Sequence, residues 1–251
     1  SFSDGGLNSE TSAAIVGALK AIDDGAVIVD IGGESTRPGA AEVTAEEEQA
    51  RVLPVIESLA GRIDAVISID TYRASTARRA IASGAHIIND VHGLQRDPDI
   101  AGVAAETGAG VCIMHTGRGR QKLPDAIDDQ FFFLNQSLDL ARAAGIKDEA
   151  IVLDPGFGFN KESPEENLEL VSRFGELHAL GLPLLAGTSR KRFLGSVTGR
   201  DPSDRDVATA ATTALLRHMG AVHNVAINRD ALAVADAILH VEWKRAGRSG
   251  K

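Results

Sequence analysis

The chain has 251 residues, 43% of them hydrophobic and 24% charged, a globular balance that excludes bulk disorder and a disulfide-stapled miniprotein. Its formal net charge of −9 argues against a general nucleic-acid binder, although a local cationic pocket for an anionic small molecule fits inside an acidic protein. No apolar run approaches the ~18 residues of a membrane span. The single cysteine, Cys112, allows no internal disulfide, and Ser1-Phe2-Ser3-Asp4-Gly5-Gly6 lacks the basic start and apolar core of a signal peptide. The expectation is a soluble cytoplasmic protein with no membrane or nucleic-acid partner.

In chain order, the first residues read as a loop leading into a helix near 9–24, which Gly25 closes before the apolar run Val27-Ile28-Val29-Asp30. Thr44 with Glu47 reads as a capping box opening a helix near 44–60. The run Val66-Ile67-Ser68-Ile69-Asp70, a helix near 73–83 closed by Gly84, and the run His86-Ile87-Ile88-Asn89-Asp90 follow. Asp97-Pro98 gives a cap-then-proline start to a helix near 97–107, which Gly108 closes before Val111-Cys112-Ile113-Met114-His115. A helix near 128–144, closed by Gly145, precedes Ile151-Val152-Leu153-Asp154. Ser163, Pro164 and Glu166 combine an N-cap, a first-turn proline and a second capping box at the head of a helix near 164–180. Gly181 closes that helix before Pro183-Leu184-Leu185-Ala186-Gly187-Thr188, and helices near 203–219, closed by Gly220, and 228–246 complete the pattern.

Eight helices alternating with near-continuous apolar runs, buried on both faces as parallel strands are, make the pattern of an α/β protein of the (β/α)8 TIM-barrel type. No linker or charge block divides the chain, so residues 1–251 are expected to be one domain. Only six strands are visible. The first would precede Ser1, and only Ala221-Val222 separate Gly220 from the polar His223-Asn224 where the eighth belongs. Strand one and part of strand eight are therefore expected to be missing from the sequence.

Active sites of such barrels gather at the C-terminal strand ends, which here carry Asp30, Asp70, Asn89, Asp90, His115, Asp154, Thr188, Ser189, Arg190, Lys191 and His223. A lone strand-end Asp is usually a loop cap, whereas four on one rim repel unless a cation or a donor-rich ligand sits among them. Gly32-Gly33-Glu34-Ser35-Thr36-Arg37-Pro38-Gly39 is either a flexible surface loop or a phosphate-binding one, with glycines for close approach and Thr36 and Arg37 as donors. Gly187-Thr188-Ser189-Arg190-Lys191-Arg192 lies where barrels often bind an anion, or is a solvated helix start. The basic stretch Arg118-Gly119-Arg120-Gln121-Lys122 reads as a solvated loop. Asp154-Pro155-Gly156-Phe157-Gly158-Phe159 sets a carboxylate beside two rings, suited to a flat heterocycle, and one of the two phenylalanines is expected to be a core filler. No histidine pair has metal-site spacing; His178, His218 and His240 read as structural, Cys112 as buried, and Ser189 lacks a nucleophile-elbow context.

Ser1 through Gly6, the Gly32-to-Gly39 loop, Ile69-Asp70-Thr71, Ile87-Ile88-Asn89-Asp90, the Asp154-to-Phe159 loop and Ser189-Arg190-Lys191, in this order over essentially the whole chain, resemble the dihydropteroate synthase family. The resemblance implies a barrel transferase of folate biosynthesis. It would join 4-aminobenzoate to 6-hydroxymethyl-7,8-dihydropterin diphosphate and release diphosphate with Mg2+ assisting, as a homodimer and a sulfonamide target. Carried over residue by residue, Asp70, Asn89, Asp154 and Lys191 would hold the pterin and Met114 would line its pocket. Thr36 and Arg37 match the family's second loop, near the diphosphate and the aminobenzoate; Phe2, Pro38, Phe159 and Ser189 match the aminobenzoate and sulfonamide side; His223 matches a diphosphate-binding histidine. Asp70, Lys191, Thr36 and Arg37 form the expected catalytic set. No metal ligand is identified, because the family's loop asparagine associated with the metal belongs to the segment before Ser1. The family's arginine two residues before the matched histidine is Ala221 here, and Asn224 stands where aspartate is commoner.

Diphosphate is a good leaving group once cations neutralise it, and an electron-rich pterin stabilises positive charge on its methylene carbon. The resemblance therefore implies an SN1-like substitution that needs positioning and electrostatic stabilisation more than a strong base. The competing readings are a pterin-dependent methyltransferase domain, which would not share both the Ser35-to-Gly39 and the Ser189-to-Lys191 loops, an inactive pterin-binding paralogue, and a Schiff-base aldolase using Lys191.

Overall fold

The computed structural model describes residues 2–36, 40–161, 163–220 and 233–236, with side chains from Ser9 onward. It divides into two compact units, Ser1–Met114 with Leu134–Leu153, and His115–Phe133 with Asp154–Lys251, each taken by itself below.

The first unit alternates helix and strand: α1 (Phe2–Asp23), β1 (Ile28–Gly32), α2 (Ala45–Leu59), β2 (Val66–Asp70), α3 (Ala74–Ala82), β3 (Ile87–Asp90), α4 (Ile100–Thr107) and β4 (Gly110–Met114). The C-terminal part of α5 (Ala126–Ala144) and β5 (Ile151–Asp154) complete it. The five strands form one sheet in sequence order, and β1 to β4 pair in parallel. Ile67, Ile69, Ile88, Val111 and Ile113 are fully buried, which is why these strands read as unbroken apolar runs. Helix α2 starts on the expected capping box: the Glu47 N–H donates to Thr44 Oγ1 at 3.1 Å and the Thr44 N–H donates to Glu47 Oε2 at 2.8 Å. Its Val52, Val55, Ile56 and Leu59 form the buried face.

The second unit holds the N-terminal part of α5, α6 (Pro164–Ser172), a 3-10 segment (Phe174–Leu180), α7 (Arg192–Thr198) and α8 (Asp206–His218). Its core centres on Phe157, whose ring lies 6.4 Å from that of Phe174 and 6.2 Å from that of Phe193. Leu170, Leu177, Leu184 and Leu216 are buried with them.

The six glycines read as helix closers all have positive φ. Several other expectations are corrected. Helix α1 already begins at Phe2, where a loop was expected. Asp97 does not cap its own helix, which starts at Ile100; its carboxylate accepts instead from the Ala74 N–H at 2.8 Å, at the head of α3, and from the Asp99 N–H at 3.1 Å. The helix expected over 164–180 breaks at Arg173 into α6 and the 3-10 segment. Ser163 caps α6 by accepting from the Glu166 N–H, but the Glu166 carboxylate turns to Lys122 rather than back to the cap. The run 183–188 is reduced to bridge residues at Leu184 and Leu185, and helix α7 follows Lys191, in line with the helix-start reading of Gly187 to Arg192 but absent from the eight expected helices. The expected eighth strand lies outside the described residues, as does the helix near 228–246 apart from 233–236, which are helical.

Gly33 has to be a glycine. A Cβ there would lie 2.9 Å from the Glu48 carbonyl oxygen and 3.0 Å from Val52 Cγ1, both on α2. Gly33→Ala is expected to lower stability by about 1–3 kcal/mol, read as a shift in urea midpoint, because a main-chain oxygen cannot swing aside as a flexible side chain can.

Candidate active site

In the first unit the parallel register sets the strand-end polar residues in a row: Gly32 pairs with Asp70, and Asp70 with Asn89. Gly32 leaves room for its neighbour, since a Cβ there would press on Asp70 Cβ at 3.3 Å and Asp70 Oδ2 at 3.4 Å. Asn89 Nδ2 donates to Asp30 Oδ2 at 2.9 Å, which leaves the Asn89 carbonyl to accept from a ligand. Met114 is buried at the end of β4.

This group is electrostatically unsettled. Crowding by protein atoms pushes the Asp30 carboxyl above the usual carboxylate range, against hydrogen bonds from Ser68 and Asn89 that pull it down. Asp70 is pushed up to about 8, first by burial and then by the negative charges of Asp30, Asp90, Glu48 and Glu34. Burial and the neighbouring acids thus push both carboxyls toward the protonated form. Asp90 is not part of this group. It is buried and accepts from the His92 and Leu94 N–H groups, each at 2.7 Å, so it caps the turn after β3; burial still raises it to about 6.

The loop after β1 is anchored at its start. Arg51 donates to the Gly33 carbonyl at 2.8 Å, and the Arg73 guanidinium lies 2.8 Å from Glu34 and 3.2 Å from Glu48. Thr36 is half-buried at the end of this described stretch. The expected site residues Arg37, Pro38 and His223, and the side chain of Phe2, lie outside the described residues.

In the second unit Asp154, Phe159, Ser189 and Lys191 are the expected site residues. Lys191 Nζ sits 4.5 Å from the centre of the Phe159 ring, and the Arg118 guanidinium lies 5.1 Å from the same centre. Burial lowers the Lys191 pKa, the Asp154 carboxylate opposes that, and the Arg118 charge adds to it. Phe159 is half-buried and Phe157 is the core filler, so the two rings divide as expected. Of the three consecutive cations, Arg190 is taken up by Asp206 through two bonds of 2.6 and 2.8 Å and Arg192 is exposed, so Lys191 alone is drawn in.

Sequence reasoning missed the network beside these residues. Lys161 is 5% exposed, and its ammonium donates to the Gly156 carbonyl at 2.8 Å and to His115 Nδ1 at 3.1 Å. Since Nδ1 accepts, the imidazole proton is assigned to Nε2, which donates to Asp129 Oδ2 at 3.0 Å. Arg120 grips the same carboxylate with two bonds of 2.7 Å. Burial and the Lys161 charge lower His115 to about 3, so the ring is neutral at physiological pH. Burial brings Lys161 itself down to about 7, against the attraction of Asp154, Glu166 and Asp129. The stretch read as a solvated loop is therefore built in: Arg120 holds Asp129, and Lys122 bonds the Asn160 carbonyl at 2.8 Å and Glu166 at 2.6 Å. Spacing alone carries no signal for partners so far apart in sequence.

The raised Asp70 carboxyl makes a pH prediction. A group whose folded pKa exceeds its unfolded value contributes stability that is complete below the unfolded value, here 3.8, and is lost as pH rises toward about 8. The Asp70 contribution is expected to fall between pH 5 and 8 by up to about 1.4 kcal/mol per pH unit, while the lowered His115 and Lys161 groups act in the opposite sense. The urea midpoint of Asp70→Asn relative to wild type is therefore expected to climb from pH 5 through 6.5 to 8; a constant difference would show that the carboxyl is ionised throughout.

A sequence profile described as "Pterin binding enzyme" matches residues 1–225. A dihydropteroate synthase of Bacillus subtilis is 44% identical over 86% of this chain and 75% of its own length. Among solved structures, a Clostridium difficile dihydropteroate synthase in the presence of pteroic acid is 42% identical, covering 91% of this chain and 88% of that one with a TM-score of 0.87. A Yersinia pestis dihydropteroate synthase in a sulfonamide drug complex is 37% identical, covering 89% and 84% with a TM-score of 0.84. The α/β fold with its parallel sheet is that of these structures, the TIM-barrel type anticipated from the sequence.

Proposed function

Because the chain belongs to the pterin-binding enzymes and, among them, to the dihydropteroate synthase family of transferases, we propose that it joins 4-aminobenzoate to 6-hydroxymethyl-7,8-dihydropterin diphosphate through the residues described above. The observation that carries the site assignment is the chemistry at the strand ends. Asp70 and Asn89 present acceptors in register on adjacent strands of the first unit, and within the second unit the Asp154 carboxylate draws on Lys191.

A pterin edge offers ring N–H and amino donors beside one carbonyl. The family resemblance gives the donors to Asp70, Asn89 and Asp154, the carbonyl to Lys191 and the ring wall to Met114. Donors arriving at Asp70 would lower a carboxyl that burial and neighbouring acids raise. The C–O bond to the diphosphate then breaks with its electron pair going to the diphosphate. The aniline nitrogen lone pair forms the new C–N bond, and the proton on that nitrogen leaves to solvent. This SN1-like order asks for no strong base, and the family resemblance gives Arg37 and His223 to the diphosphate and Phe2, Thr36, Pro38, Phe159 and Ser189 to the aminobenzoate or a competing sulfonamide.

Among the described residues no three His, Cys, Asp or Glu side chains are grouped to hold a metal ion, so these residues do not by themselves make a magnesium site. We place Mg2+ with the substrate, as counterion of the diphosphate oxygens it would shield. We further read residues 1–251 as one domain acting in the cytoplasm as a homodimer. No helix among the described residues is long and apolar enough to cross a membrane.

Two measurements test this. Titration of the pterin diphosphate followed by 4-aminobenzoate is expected to give binding and then stoichiometric diphosphate release, and Asp70→Ala or Lys191→Ala is expected to weaken pterin binding about 100-fold. Wild-type pterin affinity in either variant would sink the site assignment, and a folded protein that binds no pterin would sink the synthase reading. Sedimentation velocity is expected to give about twice the 26.3 kDa chain mass.

A further inference from the structure

We propose that Lys161 is a positioning residue of the transfer reaction: its buried side chain braces the Asp154-to-Gly156 turn and so holds Asp154 for the pterin. The inference rests on the synthase reading, and every residue it uses lies in the second unit.

Three successive carbonyls of this turn are taken up by donors from elsewhere in the unit. The Asp154 carbonyl accepts from the His115 N–H at 2.8 Å, the Pro155 carbonyl from Gln130 Nε2 at 3.1 Å, and the Gly156 carbonyl from Lys161 Nζ at 2.8 Å. The carboxylate is tied to the same turn, since Asp154 Oδ1 accepts from the Gly156 N–H at 2.7 Å. Gly156 has a φ of 65°, so with no side chain of its own it is fixed by these bonds. The ammonium also donates to His115 Nδ1 at 3.1 Å, and so touches both residues whose N–H groups bond Asp154. Lys161 is itself anchored: Asn167 Nδ2, on α6, donates to its carbonyl at 3.0 Å, and the residue is only 5% exposed.

A space-filling role would not need the charge, because a methionine or leucine fills a similar volume without withdrawing an ammonium from water. The charge acts on the acid. Among the charges around the ammonium, Asp154 favours it most, ahead of Glu166 and Asp129, while Lys122 opposes it. That attraction is mutual, so Lys161 in turn favours the ionised form of Asp154. The ionised carboxylate is the form that only accepts, as the ring N–H and amino donors of a pterin require. An acceptor that is ionised and aimed before the ligand arrives loses less freedom on binding than one the ligand must order.

The test compares wild type with Lys161→Met, which keeps an unbranched stem and removes the ammonium, and with Lys161→Arg, which returns a cation and its donors. Affinity for the pterin diphosphate is measured by titration calorimetry without 4-aminobenzoate, and steady-state rates at saturating pterin diphosphate give the KM for 4-aminobenzoate. Lys161→Met is expected to weaken pterin binding about tenfold or more while the KM for 4-aminobenzoate stays within about twofold, and Lys161→Arg to bind pterin more tightly than Lys161→Met. Wild-type pterin affinity in Lys161→Met overturns the proposal, as does a failure of the arginine to improve on the methionine. An equal rise in the KM for 4-aminobenzoate also overturns it, since that marks a general loosening of the unit. Should Lys161→Met not fold, Lys161→Gln, whose amide can still donate to the turn, is measured in its place with the same expected split. A chain that folds with neither overturns the proposal, because the lysine then serves the fold alone. A folded wild-type protein that binds no pterin diphosphate overturns the synthase reading and this inference with it, whereas wild-type binding with an indifferent variant overturns this inference alone.

Discussion

A buried ammonium governs the strand-end loops of the second unit. Taking an unpaired cation out of water costs several kcal/mol, and Lys161 is tolerated because a carbonyl and a neutral imidazole accept from it and acids surround it. Everything next to it follows from that demand. His115 must keep Nδ1 free of a proton, so its Nε2 proton must find an acceptor, and Asp129 provides one. Burial alone would raise Asp129, yet the bonds from His115, Arg120 and the Leu123 N–H hold it well below the usual carboxylate range. The His115 N–H meanwhile donates to the Asp154 carbonyl at 2.8 Å, and the Gly156 N–H donates to Asp154 Oδ1 at 2.7 Å. The acid assigned to the pterin is thus oriented by the same lattice of bonds that satisfies the lysine.

The first unit uses the opposite strategy. There like charges are brought together, and burial with the neighbouring acids raises the Asp70 carboxyl well above the usual carboxylate range. Satisfied groups in one unit and an unsatisfied group in the other divide the work of a binding enzyme. The first kind fixes geometry, and the second reserves interaction energy for the ligand.

How far this could be read from the sequence depended on the range of the signal. Strands buried on both faces, the capping box at Thr44 and the closing glycines are local, and apart from the run over 183–188 each appears where its pattern placed it. Asp70 and Asn89 stand out in the sequence because strand ends mark active sites in this fold class, and the strand register sets the two side by side. Helix α7 was not legible, because its seven residues follow a basic turn without a capping side chain. Nor was the split of the 164–180 helix, where Arg173 departs from helical geometry while bonding Asp125, Glu169 and Glu176. The roles of Arg120, Lys122 and Lys161 were invisible for a different reason. A basic stretch interrupted by glycine looks solvated until its acidic partners, 9 and 44 positions away, are brought beside it.

Asn167, on the first turns of α6, bears on how this loop meets a ligand. Its amide donates to the Lys161 and Ser163 carbonyls at 3.0 and 2.9 Å, and its carbonyl accepts from the Gly158 N–H at 2.8 Å. One side chain thereby satisfies three main-chain groups of a segment with no regular secondary structure. The conformational entropy of that segment is surrendered when the chain folds, not when a substrate arrives. Ligand contacts made by this wall then carry less of an ordering penalty, and the Gly158 amide proton is expected to exchange with solvent more slowly than that of an unbonded loop residue.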